Sequence, residues 1–391
     1  MSWPLVPASE IMVKRGGSLN PAKFPDETFE LLSIPAFDKN KPEILKGAEI
    51  GSSKNCIEPR DVLLSKIVPH IRRCWVVPEK GGYRQIGSGE WIIFRDERFY
   101  PGFLKHYFTS ELFHRQFMNT VAGVGGSLVR ARPAGVERIE IPLPPLEEQK
   151  RIATILDKAD AIRRKRQQAI QLAEEFLRAV FLDMFGDPVT NPKGWKVKKI
   201  DDLCEVQGGL QVSKKRSELS ISAPYLRVAN VLRNRLYLGE IKEINLTQAE
   251  YDRVRLKRDD VLIVEGHGNP NEIGRSALWT GEIDGMVHQN HLIRVRVKSK
   301  EIRPRFVNDY INSPGGRVQM MKASNTTSGL NTISTGIVKS TEIIVPPIYL
   351  QDKYMSVVSK FEDVLVKSRM HEGGIDSSLF SLIKKAFKGN L

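Results

Sequence analysis

The chain has 391 residues, enough for two or three domains with cores of their own. Its 60 Lys and Arg outweigh 46 Asp and Glu to give a formal net charge of +14, which favours a polyanionic partner, nucleic acid before any other. Cys56, Cys74 and Cys204 are odd in number and lack metal-ligand spacing, which argues against a disulfide framework and for a reducing cytosol; no apolar run approaches ~18 residues, so a soluble, cytoplasmic chain without a membrane partner is expected.

In chain order, the first 145 residues read as a mixed globular part with more strand than helix. Strands are expected at 62–67 and 90–94, from β-branched and alternating residues, with a short helix at 103–118. Turn signals stand at Gly81-Gly82 and Gly125-Gly126. Pro144-Pro145, followed by Glu147-Glu148, is a helix start with acidic charge at the positive end. The helix has its stop at Gly186-Asp187-Pro188. Within it Ile152, Ala159, Ala173 and Val180 share one heptad position, which Arg166 interrupts, and Ile155, Ile162, Ala169 and Phe176 share a second. Leu156, Ile170, Leu177 and Met184 flank them. Such patterning predicts coiled-coil packing. The run Arg163-Arg164-Lys165-Arg166, close to Asp157 and Asp160, reads as a solvated face, with contact to DNA phosphates or a partner subunit as the second reading.

The same order then repeats. Strands are expected at 225–228, 261–265 and 292–297, a short helix at 306–321, and turns at 266–271 and Pro314-Gly315-Gly316. Pro346-Pro347 opens a second long helix, in which Tyr354, Phe361, Ile375 and Leu382 align with Val358, Leu365, Leu379 and Ala386. Gly373-Gly374 would either kink this helix or mark a weak point in it, since each glycine costs roughly 1 kcal/mol relative to alanine.

The repeat has a measurable register. Gln149/Gln351, Leu177/Leu379, Val180/Leu382 and Phe185/Phe387 all stand at an offset of 202. In the globular parts the offset drifts, from 192 at Trp3/Trp195 through 199 at Asp61/Asp260 to 203 at Tyr107/Tyr310. Insertions of this kind belong to surface loops. The chain is therefore expected to be α+β and pseudo-two-fold: two mixed, strand-rich parts separated by two long helices. Helices of this length span roughly 57 Å at about 1.5 Å per residue, enough to hold two DNA-reading parts a helical turn or more apart.

Catalytic apparatus is missing from the sequence. There is no GxxxxGK[ST] phosphate loop, and the Pro-Pro pairs lack the preceding Asn or Asp of an amino-methyltransferase motif. Gly123-x-Gly125-Gly126 reads as a loop, Glu240-x-Lys242 as a chance triplet, and His288-x2-His291 as a core or surface pair without metal companions. Binding chemistry remains. Arg72, Arg73, Arg130, Arg132, Lys214, Lys215 and Arg216 can neutralise phosphates, and Gln85, Asn269, Asn271 and Asn290 can read adenine edges.

The segment Ile-Pro-Leu-Pro-Pro-Leu-Glu-Glu-Gln-Lys-Arg-Ile at 141–152 resembles the start of the central conserved region of type I restriction-modification specificity subunits. Tyr225-Leu-Arg-Val-Ala-Asn230, Asp260-Val-Leu-Ile263 and Ile273-Gly-Arg275 are similar to recurrent phrases of that family's target-recognition domains, which adds Arg227, Asn230 and Arg275 to the candidate DNA contacts. The resemblance covers the whole chain in the family order: recognition domain 1–145, central helix 146–187, recognition domain 188–347, C-terminal helix 348–391. It implies a non-catalytic subunit whose two domains each read half of an interrupted, asymmetric DNA site, with the helices antiparallel as a spacer. It also implies two methyltransferase subunits and restriction subunits as partners, which would carry S-adenosylmethionine, ATP and Mg²⁺; this chain would bind no cofactor directly. A stand-alone DNA-modifying enzyme with unfamiliar motifs is the alternative, and a helical adaptor a third reading.

Overall fold

The computed structural model describes residues 3–14, 16–122, 129–322, 325–327, 330–387 and 389, with the backbone alone at 325–327, 330–331 and 362–380. The Gly125-Gly126 turn and the side chains of Leu365, Ile375 and Leu379 lie outside the described residues. The chain divides into two compact units, Met1–Gln168 with Arg369–Leu391, and Ala169–Ser368. Each is a mixture of short strands and helices.

The two units share a topology. In the first, Val62–Ser65 lies between Cys74–Val76 and Trp91–Phe94, both antiparallel to it. In the second, Val261–Val264 lies in the same way between Ser276–Leu278 and Leu292–Val297. The second unit adds Cys204–Gly208 along the outer strand over five residues. The first unit has only a single bridge there, Met12 to Phe94. A second sheet in each unit is centred on a strand with one antiparallel and one parallel neighbour. Thr28–Leu32 sits between Glu43–Lys46 and the parallel Arg84–Gly87. Ile221–Leu226 sits between Lys242–Leu246 and the parallel Val287–His288. Here the first unit is the larger, since Lys54–Cys56 and Ser18–Leu19 extend its sheet to five strands.

Each expected short helix is in fact two. Pro101–Thr109 and Glu111–Met118 break at Ser110, and Pro304–Asn312 and Pro314–Lys322 break at Ser313. Both serines are extended (φ −71°), and each hydroxyl donates to the carbonyl three residues back at 2.6 Å. Ser110 also accepts from Phe113 N and so caps the next helix. At Ser313 the following proline removes the helical conformation from the residue before it. Pro314-Gly315-Gly316 is consequently a helix start, not a turn. Glycine is required there because a Cβ on Gly315 would lie 2.7 Å from that of Pro188, and one on Gly316 would lie 2.4 Å from the Tyr310 carbonyl. The strand expected at 62–67 ends at Ser65, because Val68 adopts a left-handed φ of 45° before Pro69.

The long helices are Leu146–Phe185 and Ile348–Phe387, and the second stays helical through Gly373-Gly374. Each start is locked by a buried glutamine. Gln149 donates to Pro144 O (2.8 Å) and Arg98 O (2.9 Å) and accepts from Tyr100 N (2.8 Å). Gln351 does the same with Pro346 O, Glu301 O and Arg303 N at 2.8, 2.9 and 2.8 Å. Each tip inserts a phenylalanine into an aromatic cage. Phe185 packs on Phe306 and Tyr354, with ring centroids at 4.8 and 5.4 Å, and Phe387 packs on Phe103 and Tyr107 at 5.3 and 5.1 Å. The unpaired carbonyls of the tips find donors: Trp195 Nε1 bonds Phe185 O at 2.8 Å, and Trp3 Nε1 bonds Ala386 O at 3.0 Å. Gly186, at φ +79°, ends the first helix where its sequence signal stands.

The helix seam is rotated from the expected one. Ile152 is buried as expected, but Ile162, Ala169 and Phe176 are exposed, and the Phe176 ring meets that of Phe361 at 4.6 Å, tilted by 35°. The buried face instead carries Leu156 and Ile170, with Leu177 and Met184 packed on the second core. The helix ends bury themselves against globular cores rather than only against a second helix, and this turns the apolar face toward the flanking stripe. Inside the second unit the helices run antiparallel, with Phe176 on Phe361 and Phe181 on Tyr354 (5.7 Å).

Candidate nucleic-acid interface

The candidate residues separate by what already occupies their polar atoms. Asn230 is fully buried: Oδ1 accepts from Arg227 N (2.9 Å), and Nδ2 donates to Tyr237 O (2.8 Å) and Glu240 O (3.0 Å). Arg275 is 5% exposed and donates to Val231 O (2.7 Å), Val228 O (3.0 Å) and Glu272 (2.8 Å). These two side chains close loops from inside. Gln85 is also buried and donates to Glu30 (3.0 Å) and Pro78 O (3.3 Å).

A second set is held by carboxylates. Arg73 forms a fork with Asp38 at 2.7 and 2.8 Å, Arg216 one with Glu250 at 2.9 and 3.0 Å, and Arg72 pairs with Glu111. Arg130 meets Glu90 at 3.1 Å and Arg227 meets Glu240 at 3.2 Å. The Arg216 hydrogen bond, with help from the Thr247 backbone, brings the Glu250 carboxyl down to about 2. Geometry of this quality orders a surface loop and leaves less of the cation for a polyanion.

The third set faces solvent. Arg132, Lys214 and Lys215 are exposed, and no described side-chain partner is assigned to them. Asn269 and Asn271 are exposed on the loop after Val261–Val264, where Asn269 Oδ1 accepts from Asn271 N (3.0 Å) and caps the short turn Pro270–Glu272. Asn290 is half-buried beside Leu210, held through its backbone N at 2.8 Å. On the first long helix, Arg163 and Arg164 both pair with Asp160, at 2.9 and 3.2 Å.

One constellation was invisible to residue spacing because its parts come from three segments. Arg233, Asn234, Asn308, Asn312 and Ser276 form a polar network around the turn of the hairpin Val231–Leu232/Arg235–Leu236. Each unit also buries one carboxylate under its central strand. Asp61 accepts from Glu58 N (2.8 Å) and the Arg95 fork (2.6 and 2.8 Å), and Asp260 from Lys257 N (2.7 Å) and the Arg296 fork (2.7 and 2.6 Å).

His288 is a core residue, buried between Val254 O (3.1 Å) and Gln207 O (3.4 Å), and burial brings its imidazole down to about 4. Its companion His291 is exposed beside Glu265 at 3.1 Å. Among the described residues no group of three or more His, Cys, Asp and Glu could hold a metal ion, and no helix is long and apolar enough to cross a membrane.

The sequence profile described as the type I restriction modification DNA specificity domain matches residues 100–172 and 192–371, well over half of the chain. The chain belongs to this family. It is 27% identical over 321 residues to the EcoKI specificity subunit of Escherichia coli K12, covering 76% of this chain and 68% of that protein. It is 26% identical over 318 residues to the StySPI specificity subunit of Salmonella potsdam, covering 76% and 67%. Among solved structures, the S subunit of a type I restriction-modification system from M. genitalium superposes with a TM-score of 0.59 at 13% identity, over 99% of this chain and 96% of that one. A chain from a type I R-M system solved for its assembly and conformational transition gives 0.55 at 18% identity, over 100% and 98%. These likenesses show the fold. Family membership makes the chain a DNA sequence-specificity subunit, and the stand-alone modifying enzyme is not favoured.

Proposed function

We propose that this specificity subunit is non-catalytic and that each of its globular parts reads one half of an interrupted, asymmetric DNA site. The observation that carries this reading is the pair of units with one topology and one set of helix locks, but with differently extended sheets and differently charged loops. Equal scaffolds place two readers equivalently, and unequal surfaces make the halves of the site different. The helices set the separation of the half-sites and dock two methyltransferase subunits in this reading, and restriction subunits join that complex. S-adenosylmethionine, ATP and Mg²⁺ belong to those partners in this reading.

The solvent-facing Arg132, Lys214 and Lys215 supply salt-dependent phosphate contacts, and Asn269, Asn271 and Asn290 are the candidates for base edges. The test is an exchange of residues 196–340 for the equivalent domain of another specificity subunit, followed by mapping of modified bases in a genome that expresses the methyltransferase complex. One half-site should change and the other should persist. A change in both would end the modular account. Inserting whole helical turns near Ala169 should alter the gap between half-sites and leave the bases of each unchanged.

A further inference from the structure

The turn Arg233-Asn234 is fastened in place. Asn234, at φ 58°, accepts on Oδ1 from Asn308 Nδ2 (2.8 Å) and from Asn312 Nδ2, and Asn312 bonds both the N and O of Ser276 at 3.0 and 2.9 Å. Arg233 is thereby held against the turn Pro270–Glu272, where its Nη2 donates to Asn271 O at 3.0 Å. Arg317, from the short helix Pro314–Lys322, donates through Nη2 to Pro270 O at 2.9 Å. Two guanidinium groups therefore rest on neighbouring carbonyls of one turn.

Carboxylates do not balance them. Glu272 is the only acid among the described groups acting on Arg233, and it is taken by Arg275 at 2.8 Å. Burial, followed by the charges of Arg317, Arg275 and the exposed Arg178, holds the Arg233 guanidinium below its ordinary value against the pull of Glu272. Half-buried cations in this state call for an anion from outside.

The matching place in the first unit is built without that demand. At an offset of 203, Ser313, Pro314 and Arg317 correspond to Ser110, Glu111 and His114, and Pro69–Ile71 is the turn equivalent to Pro270–Glu272. There Glu111 takes both Arg72 and Arg115, the latter at 3.2 Å. The second unit has proline where the first has the acid, and arginine where the first has histidine.

We propose that Arg233 and Arg317 form a binding site for a backbone phosphate of duplex DNA, which positions the second reading part on its half-site. The inference rests on the DNA-reading role above. Guanidinium forks match phosphate oxygens, and groups already anchored to protein carbonyls are placed for a fixed phosphate rather than for a base edge deep in a groove.

The test uses the subunit assembled with its methyltransferase partners. Arg233→Gln and Arg317→Gln complexes are titrated with the duplex found by base-modification mapping and with an unrelated duplex, across a range of salt. Each variant should weaken both duplexes by one common factor, about tenfold, and lower the slope of log K against log salt by about 0.9. Arg317→Lys keeps the charge and should keep the slope. Arg115→Gln, which removes one charge from the balanced counterpart in the first unit, should leave the slope unchanged. An unaltered slope in both glutamine variants, a loss confined to the mapped duplex, or a loss of methyltransferase association with unaltered DNA slope would each overturn the proposal. If the wild-type complex fails to distinguish the two duplexes, the recognition role fails first and this site with it.

Discussion

The two units hold the helices with the same bonds and build their sheets differently. Gln149 and Gln351, Tyr107 and Tyr310, and Asp61 and Asp260 have equivalent partners at nearly equal distances. The differences begin one strand away, where the first unit extends one sheet and the second unit extends the other. The shared bonds fasten a helix start, a sheet edge or the base of a central strand, the glutamines and tyrosines through the backbone and the aspartates through an arginine fork as well. Duplication has thus kept the fastenings of the scaffold and released the surfaces, as a common frame for unlike readers requires.

That comparison can be broken most forcefully at the glutamines. Gln149→Leu and Gln351→Leu each strand one buried N–H and two carbonyls, and each should cost about 3 kcal/mol by chemical denaturation. A loss in one unit alone would end the equivalence of the two helix starts. Asp61→Ala and Asp260→Ala come next, each leaving an arginine without its fork. About 2–3 kcal/mol is expected, below the value for a fully buried pair because Arg95 and Arg296 reach solvent. Matching shifts in denaturation midpoint support a shared role.

A third test sharpens the difference between the units. The parallel strand of the second unit carries His288, whereas that of the first carries Gln85-Ile86-Gly87. The folded value of His288, about 4, lies below its ordinary 6.5, so the unfolded chain takes the proton first as pH falls. Stability is complete above about pH 6.5 and declines toward pH 4, by about 2 kcal/mol between pH 6.5 and 5. His288→Gln should flatten that decline, and denaturation at pH 7 and pH 5 measures it. The smallest effect is expected at the tip bonds. Trp3→Phe and Trp195→Phe each remove one hydrogen bond, about 1 kcal/mol, readable as a small fall in Tm.

The sequence showed what is periodic or repeated. The proline starts, the 202 offset and the strand at 292–297 were all legible because local chemistry decides them. The split at Ser110 and Ser313 was not, since an apolar helical period continues across each break while a serine cap in the first unit and Pro314 in the second redirect the backbone. The heptad reading chose the wrong companion stripe because it assumed only a helix for a partner, whereas Leu156 joins the first globular core and Leu177 and Met184 pack on the second. Among the candidate contacts, exposed Lys214 and buried Asn230 look equally suitable as residue types. Burial separates them, and burial is a property of the fold. Arg233 and Arg317 escaped notice for a similar reason: 84 positions apart, they meet only on a turn supplied by a third segment.

The bond from Trp3 to Ala386 also orders events in time. The second unit is one continuous stretch of chain, and a ribosome delivers it complete. The first unit draws Ala386 and Phe387 into its core, so its earliest residues must wait until the other unit has been synthesised in full. The half that is translated first is the half that finishes folding last.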